Sequence, residues 1–177
     1  MVVSARQEAS KIGVDILKKG GNAFDAMVAV ELALAVSYPS AGNIGGGGFM
    51  VYRKSDGSTG TLDFRERAPI NSTSDMYLDE NKNIIEGLSI TGGLSVGVPG
   101  TIAGIFEAHE KHGILTINEL ISPVIELAKK GVIVTEKQKN RIEENRKYFK
   151  LANKSKILFD NDFKTNDTIK FPNLAST

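Results

Sequence analysis

The sequence has no cysteine and only two histidines among its 177 residues. Without cysteine there is no disulfide, no thiolate metal ligand and no cysteine nucleophile, while the compartment stays open because a cysteine-free chain suits either redox state. A long apolar run is also missing. The longest mostly apolar stretch, Ala26 to Val36, is interrupted by Glu31 and is too short to span a bilayer. No basic region leading into an apolar core follows Met1, so no targeting segment is read there. Nor does charge of one sign dominate. With 22 Lys and Arg against 21 Asp and Glu, the net charge is +1, which exerts no general pull toward nucleic acid. What remains is an ordinary globular composition, 41% hydrophobic and 24% charged, long enough to bury a core as one domain or part of a larger protein.

Periodicity places the elements. Ala5 to Lys19 reads as an amphipathic helix with Ala9, Ile12 and Ile16 on its apolar stripe, stopped by Gly20-Gly21. Asn22 is the expected N-cap of a second helix with Asp25 at its third position, where a carboxylate suits the positive helix end. That helix runs to about Ser37, is apolar nearly all round, and is expected to be central and buried. Ser40 to Gly48 is dominated by glycine and cannot be regular structure. Phe49 to Arg53 reads as a strand, Ser55 to Ser58 as a turn, and Gly60 to Arg67 as the returning strand. Ile70 to Thr91 reads as irregular chain and Leu94 to Val98 as a short strand. Helices follow from Ile102 to His112 with Thr101 as cap, from Ile117 to Lys130 after Thr116, and from Thr135 to about Leu151. The remainder, from Ala152, is polar and anchored by Phe159, Phe163 and Phe171.

Several patterns invite chemistry. The run Gly45 to Gly48 lacks the Lys-Ser/Thr pair of a nucleotide loop and enters a strand instead of a helix, so it reads as backbone packed closely against something else. His109 and His112 are three apart, one short of the spacing a zinc helix needs, and read as a partly exposed pair near a helix end; no metal is expected. No Gly-x-Ser-x-Gly elbow occurs, and Ser10 and Ser37 have no nearby base. Asp63, Arg65, Glu66 and Arg67 form the densest charge of the front half. On pattern alone this is a solvated strand face; the functional alternative is an arginine fork for a carboxylate, presented by the second strand.

A set of motifs decides further. Gly20-Gly21-Asn22-Ala23 precedes Asp25-Ala26, and Ala33-Leu34-Ala35-Val36 leads to Ala41-Gly42-Asn43-Ile44 and the glycine run with Phe49. Asp63-Phe64-Arg65-Glu66 with Ala68-Pro69 follows, then Gly97-Val98-Pro99-Gly100-Thr101 and Ala103-Gly104. In this order and spacing the chain resembles the N-terminal part of the large subunit of γ-glutamyltranspeptidase (glutathione hydrolase), with matches thinning after about Gly131. The resemblance implies an α+β protein of the N-terminal nucleophile hydrolase type, a four-layer αββα sandwich that is incomplete in this chain. It implies that residues 1–177 are one part of a large subunit with no separate second domain. In that family a precursor cleaves itself, and the new N-terminal threonine attacks a γ-glutamyl amide with its own amino group as base. Water, or the amine of an amino acid or dipeptide acceptor, then resolves the acyl-enzyme. Arg65 falls at the family's arginine that binds the α-carboxylate of the γ-glutamyl group.

The same resemblance implies no cofactor, no metal, and γ-glutamyl compounds such as glutathione as substrates. The implied partners are the rest of the large subunit and the small subunit, with no nucleic acid and no membrane span. The implied compartment is periplasmic or extracellular. The family's Thr-Thr-His-type segment does not occur: Thr91, Thr101 and Thr177 lack that context, so no catalytic residue is expected in this chain. Met1 corresponds to an internal position of typical members, and the chain reads as a fragment, inactive alone. Two other readings stand beside an enzyme segment: an inactive truncated remnant, and part of a related N-terminal nucleophile amidase. Retention of Arg65 counts against the amidase.

Overall fold

The computed structural model describes all residues, Met1–Thr177. Its elements run α1 (Gln7–Lys18), α2 (Ala23–Ser37), β1 (Phe49–Arg53), β2 (Thr59–Asp63), α3 (Thr101–His112), α4 (Ile117–Lys130), β3 (Val132–Ile133), α5 (Glu136–Ala152), β4 (Thr168–Ile169) and α6 (Pro172–Ser176). The chain forms two compact units. The first comprises 1–67, 99–132 and 170–177; the second comprises 68–98 and 133–169.

The first unit is built around α2. Its sequence is apolar on every side, so burial must come from several directions, and α1, α3 and α4 all pack on it. Val28, Ala29, Ala33 and Val36 are sealed, as are Ala9 and Ile16 of α1, Ile105 and Ala108 of α3, and Leu120 and Ala128 of α4. Local signals set the helix ends. Asn22 Oδ1 accepts from the N–H groups of Phe24 and Asp25 at 2.8 and 3.0 Å, and Asp25 returns the bond to Asn22 N at 2.9 Å. Thr116 and Glu119 form the same reciprocal box at the start of α4. Gly20, with φ of +95°, ends α1 in the left-handed conformation that glycine adopts without strain. The first turn of α3 is capped differently from the expectation. Thr101 lies inside the helix and is buried, and the N–H groups of Gly100 and Thr101 both donate to Gly46 O, at 2.8 and 3.0 Å. A carbonyl of the glycine run, rather than a side chain, satisfies that helix end.

β1 and β2 pair antiparallel, with Met50 opposite Leu62 and Tyr52 opposite Gly60. Met50, Tyr52 and Leu62 face partly inward, while Phe49 and Val51 are exposed on the other face. Gly57 takes the positive φ of the tight turn.

The second unit is sparser. Its fixed points are Val134, Ile142 and Ile169, all buried. Val134 N donates to Asp167 O and Val134 O accepts from Asn166 N, at 2.8 and 2.9 Å. Residues 68–98 are a sequence of turns, mostly exposed, with an isolated bridge between Leu78 and Ile84 and a bond from Tyr77 Oη to Leu94 O. The expected strand at Leu94 to Val98 is not formed. Gly93–Ser95 is one turn of 3-10 helix, closed by Ser95 N and Oγ on Gly92 O, so local bonds take the groups a ladder would have used.

Candidate substrate-binding site

The second strand of the hairpin ends sooner than its alternation implied. β2 stops at Asp63, and the ladder closes on one further pair, in which Phe64 N donates to Gly48 O at 3.0 Å and Gly48 N to Phe64 O at 3.4 Å. Beyond it Arg65 N donates to Asp63 Oδ1 at 3.0 Å, so a side chain replaces the next ladder partner and the backbone leaves the sheet. Arg65 therefore projects from the bend that follows the strand, not from the strand itself.

The cause of that bend is close packing around Phe64. A side chain at Gly48 would meet the Phe64 ring at 2.8 Å, and one at Gly47 would meet Glu66 N at 2.7 Å and Phe64 O at 2.8 Å. A methyl at Gly100 would overlap Phe64 O, and one at Gly104 would overlap Phe64 Cβ and Cγ. Phe64 is thus half-buried in a socket walled by glycines from two distant segments, the run before β1 and the start of α3. The reading of the four glycines as close-packed backbone is met at Gly47 and Gly48.

Arg65 itself is exposed and forms no ion pair within the chain. Its guanidinium carbon lies 6.0 Å from the centre of the Phe49 ring, at the outer limit of a cation–π contact. Asp63, Glu66 and Arg67 are exposed as well. The cluster thus offers a positive group, unneutralised by its acidic neighbours, beside an aromatic face. Such a fork suits a planar anion such as a carboxylate.

The two histidines have other occupations. His109 Nε2 is bonded to Leu115 O at 2.7 Å and lies 4.0 Å from Asp25 Oδ1, with the His109 side chain 20% exposed. His112 stacks on Phe24 and Tyr52, with ring centres 4.4 and 4.9 Å away. Both are partly exposed near the end of α3, as the sequence suggested, and both tie that end to its neighbours. Asp25, wholly buried, is the common anchor, accepting from Ile114 N at 3.1 Å as well as from Asn22 N. No group of three or more His, Cys, Asp or Glu is placed to hold a metal ion. The serines and threonines also have local roles. Ser37 Oγ donates to Ala33 O, Ser10 Oγ pairs with Ser4 Oγ, and Thr177 Oγ1 donates to Asn173 O.

The sequence singled out Arg65 as a candidate but not its setting. The signal was present: Gly47, Gly48, Phe64, Gly100 and Gly104 all lie within the motifs singled out, yet pairing them requires knowing that residues some forty apart meet.

Residues 9–177 match the family model described as gamma-glutamyltranspeptidase. The glutathione hydrolase proenzyme of Pseudomonas sp. (strain A14) is 58% identical over 134 residues, which are 76% of this chain and 23% of that protein. The solved gamma-glutamyltranspeptidase of Helicobacter pylori superposes with a TM-score of 0.95 at 40% identity, covering 99% of this chain and 52% of that one. The enzyme from Pseudomonas nitroreducens, solved in complex with L-DON, superposes with a TM-score of 0.91 at 43% identity, covering 99% and 52%. The matched residues thus span under a quarter of the relative's full length, and the chain spans about half of each solved chain. No helix is long and apolar enough to cross a membrane. With the family model covering nearly all of the sequence and the fold shared over its whole length, the chain belongs to the γ-glutamyltranspeptidase family.

Proposed function

We propose that this chain is the N-terminal part of the large subunit of a glutathione hydrolase and γ-glutamyltransferase, and that Arg65 binds the α-carboxylate of the γ-glutamyl group. The observation that carries the reading is Arg65 itself: an exposed guanidinium without an ion pair in its own chain, on a backbone fixed by Phe64. A bidentate bond to the carboxylate orients the γ-amide carbonyl toward the nucleophile, and orientation of this kind lowers the barrier by avoiding the entropy of alignment at the moment of reaction.

The nucleophile, an N-terminal threonine freed by self-cleavage, lies outside residues 1–177. So do the groups that hold the substrate amino group and the acceptor, an amino acid, a dipeptide or water. Threonine attack gives a γ-glutamyl ester and releases the amine; the acceptor then takes the acyl group and restores the hydroxyl. The remainder of the large subunit and the small subunit supply strands that extend the β1–β2 pair and complete a four-layer αββα sandwich, since a lone two-stranded sheet has marginal stability. The complete protein acts in the periplasm or outside the cell.

The test is release of a chromogenic amine from a γ-glutamyl anilide. The isolated 177 residues are expected to be inactive, and the complete protein, this chain joined to the remainder that carries the threonine, active. In the complete protein Arg65→Ala raises KM about 10- to 100-fold, the worth of hydrogen bonds to a charged group. Activity of the isolated chain would place the nucleophile within it, and an unchanged KM would remove the role of Arg65.

A further inference from the structure

The side chain of Arg65 is exposed, so packing does not hold it; its direction is inherited from the backbone beneath it. A long arginine side chain has ample rotational freedom, and it can select one carboxylate position only if its Cα–Cβ bond is fixed. Three restraints meet there. Asp63 Oδ1 takes the Arg65 N–H, the Gly48 peptide bonds both polar groups of Phe64, and the Phe64 ring fills the space left by Gly48 and Gly104. The ring is the only bulky member of this arrangement. Were it removed, the glycines would border a void and the bend at residues 64–66 would lose its wedge.

We infer that Phe64 is a positioning residue for substrate recognition: seated in a socket walled by Gly48, Gly100 and Gly104, it fixes the bend from which Arg65 reaches the substrate carboxylate. The inference rests on the reading of Arg65 as the carboxylate-binding group. Phe64 contacts no substrate, and its contribution is confined to the part of recognition that the carboxylate provides. A merely structural aromatic would lower activity on every substrate alike. A positioning residue weakens only those substrates that carry the group being positioned.

The experiment compares two substrates in the complete protein: a γ-glutamyl anilide and the 4-aminobutyryl anilide, which lacks the α-carboxylate. Phe64→Ala is expected to raise KM for the γ-glutamyl substrate about tenfold or more, as misplacement by a fraction of an ångström to an ångström does. It changes kcat less, and leaves kcat/KM on the 4-aminobutyryl substrate within about twofold. Phe64→Leu, which refills part of the socket, restores part of the loss. If Phe64→Ala fails to accumulate or to process itself, Phe64→Leu and Gly48→Ala provide the same comparison with smaller disturbance. Equal losses on both substrates, or no loss on either, overturn the inference. Arg65→Ala run beside them separates the two readings. If Arg65→Ala abolishes the preference for the carboxylate and the Phe64 variants do not, Phe64 is a structural residue only. If Arg65→Ala leaves the preference intact, the reading of Arg65 itself fails.

Discussion

Helices α2 and α5 are of similar length and are held by opposite means. Nine of the fifteen residues of α2 are buried, whereas Ile142 is the single buried residue among the seventeen of α5. α2 is apolar on all sides and takes its stability from neighbouring helices. α5 rests on local bonds: Thr135 Oγ1 caps Gln138 N, Lys139 pairs with Glu143, and Arg146 donates to Asp160 O and pairs with Asp162. The difference teaches that one chain can specify a helix through its environment or through its own residues, and that the two kinds fail in different ways.

The largest expected effect lies in α2. Leu32→Ala should cost about 2–5 kcal/mol in denaturant unfolding, because it removes a buried side chain from the packing between α2 and its neighbours. Leu151→Ala in α5, at a side chain 74% exposed, should stay within about 0.5 kcal/mol. Similar losses at the two sites would erase the contrast. The middle effect belongs to α5. Thr135→Ala should cost about 1 kcal/mol through loss of its N-cap, and Thr135→Ser should recover most of it. The smallest effect sharpens the comparison by pH. Burial pushes the Glu31 carboxyl of α2 above the ordinary 4.5 of a glutamate. The folded state then holds that proton more tightly than the unfolded state, so this carboxyl makes stability fall as pH rises through the interval between the two values. Glu31→Gln should be more stable than the parent at neutral pH, and the advantage should vanish below about pH 4, where both states of the parent are protonated. An advantage that persists at low pH would assign the gain to something other than desolvation.

Legibility in the sequence followed the same division. Where a residue acts on its own neighbourhood, sequence reading located it. Asn22 with Asp25, Thr116 at the start of α4, Thr135 at the start of α5, the end of α2 at Ser37, and β1 all stand where the pattern placed them. Where a distant segment supplies the partner, the reading fell short. Alternation carried β2 on to Arg67, because nothing in those residues reveals that Gly100 and Gly104 crowd Phe64 and that pairing ends there, with the Arg65 N–H turned to Asp63. Thr101 looked like a cap for the same reason, its place being taken by Gly46 O from far upstream. The partial exposure of His109 was legible, but its partners were not, because Asp25 and Leu115 lie on another helix and beyond the end of its own. Of the candidate site, the choice of Arg65 came from family resemblance, and its exposure without an ion pair from the fold.

The glycine socket also constrains how this sequence can drift. At Gly48 an added methyl meets the far edge of the Phe64 ring, so a smaller residue at 64 would make room for it; substitutions at 48 and 64 are conditional on each other. At Gly100 the obstacle is the Phe64 carbonyl, and at Gly104 it includes Phe64 Cβ, atoms that nearly every alternative residue at 64 retains. Tolerance at those two positions therefore cannot be rescued by change at Phe64. The socket has one negotiable wall and two fixed ones, and a lineage that loses Phe64 would be expected to relax first at Gly48 while Gly100 and Gly104 persist.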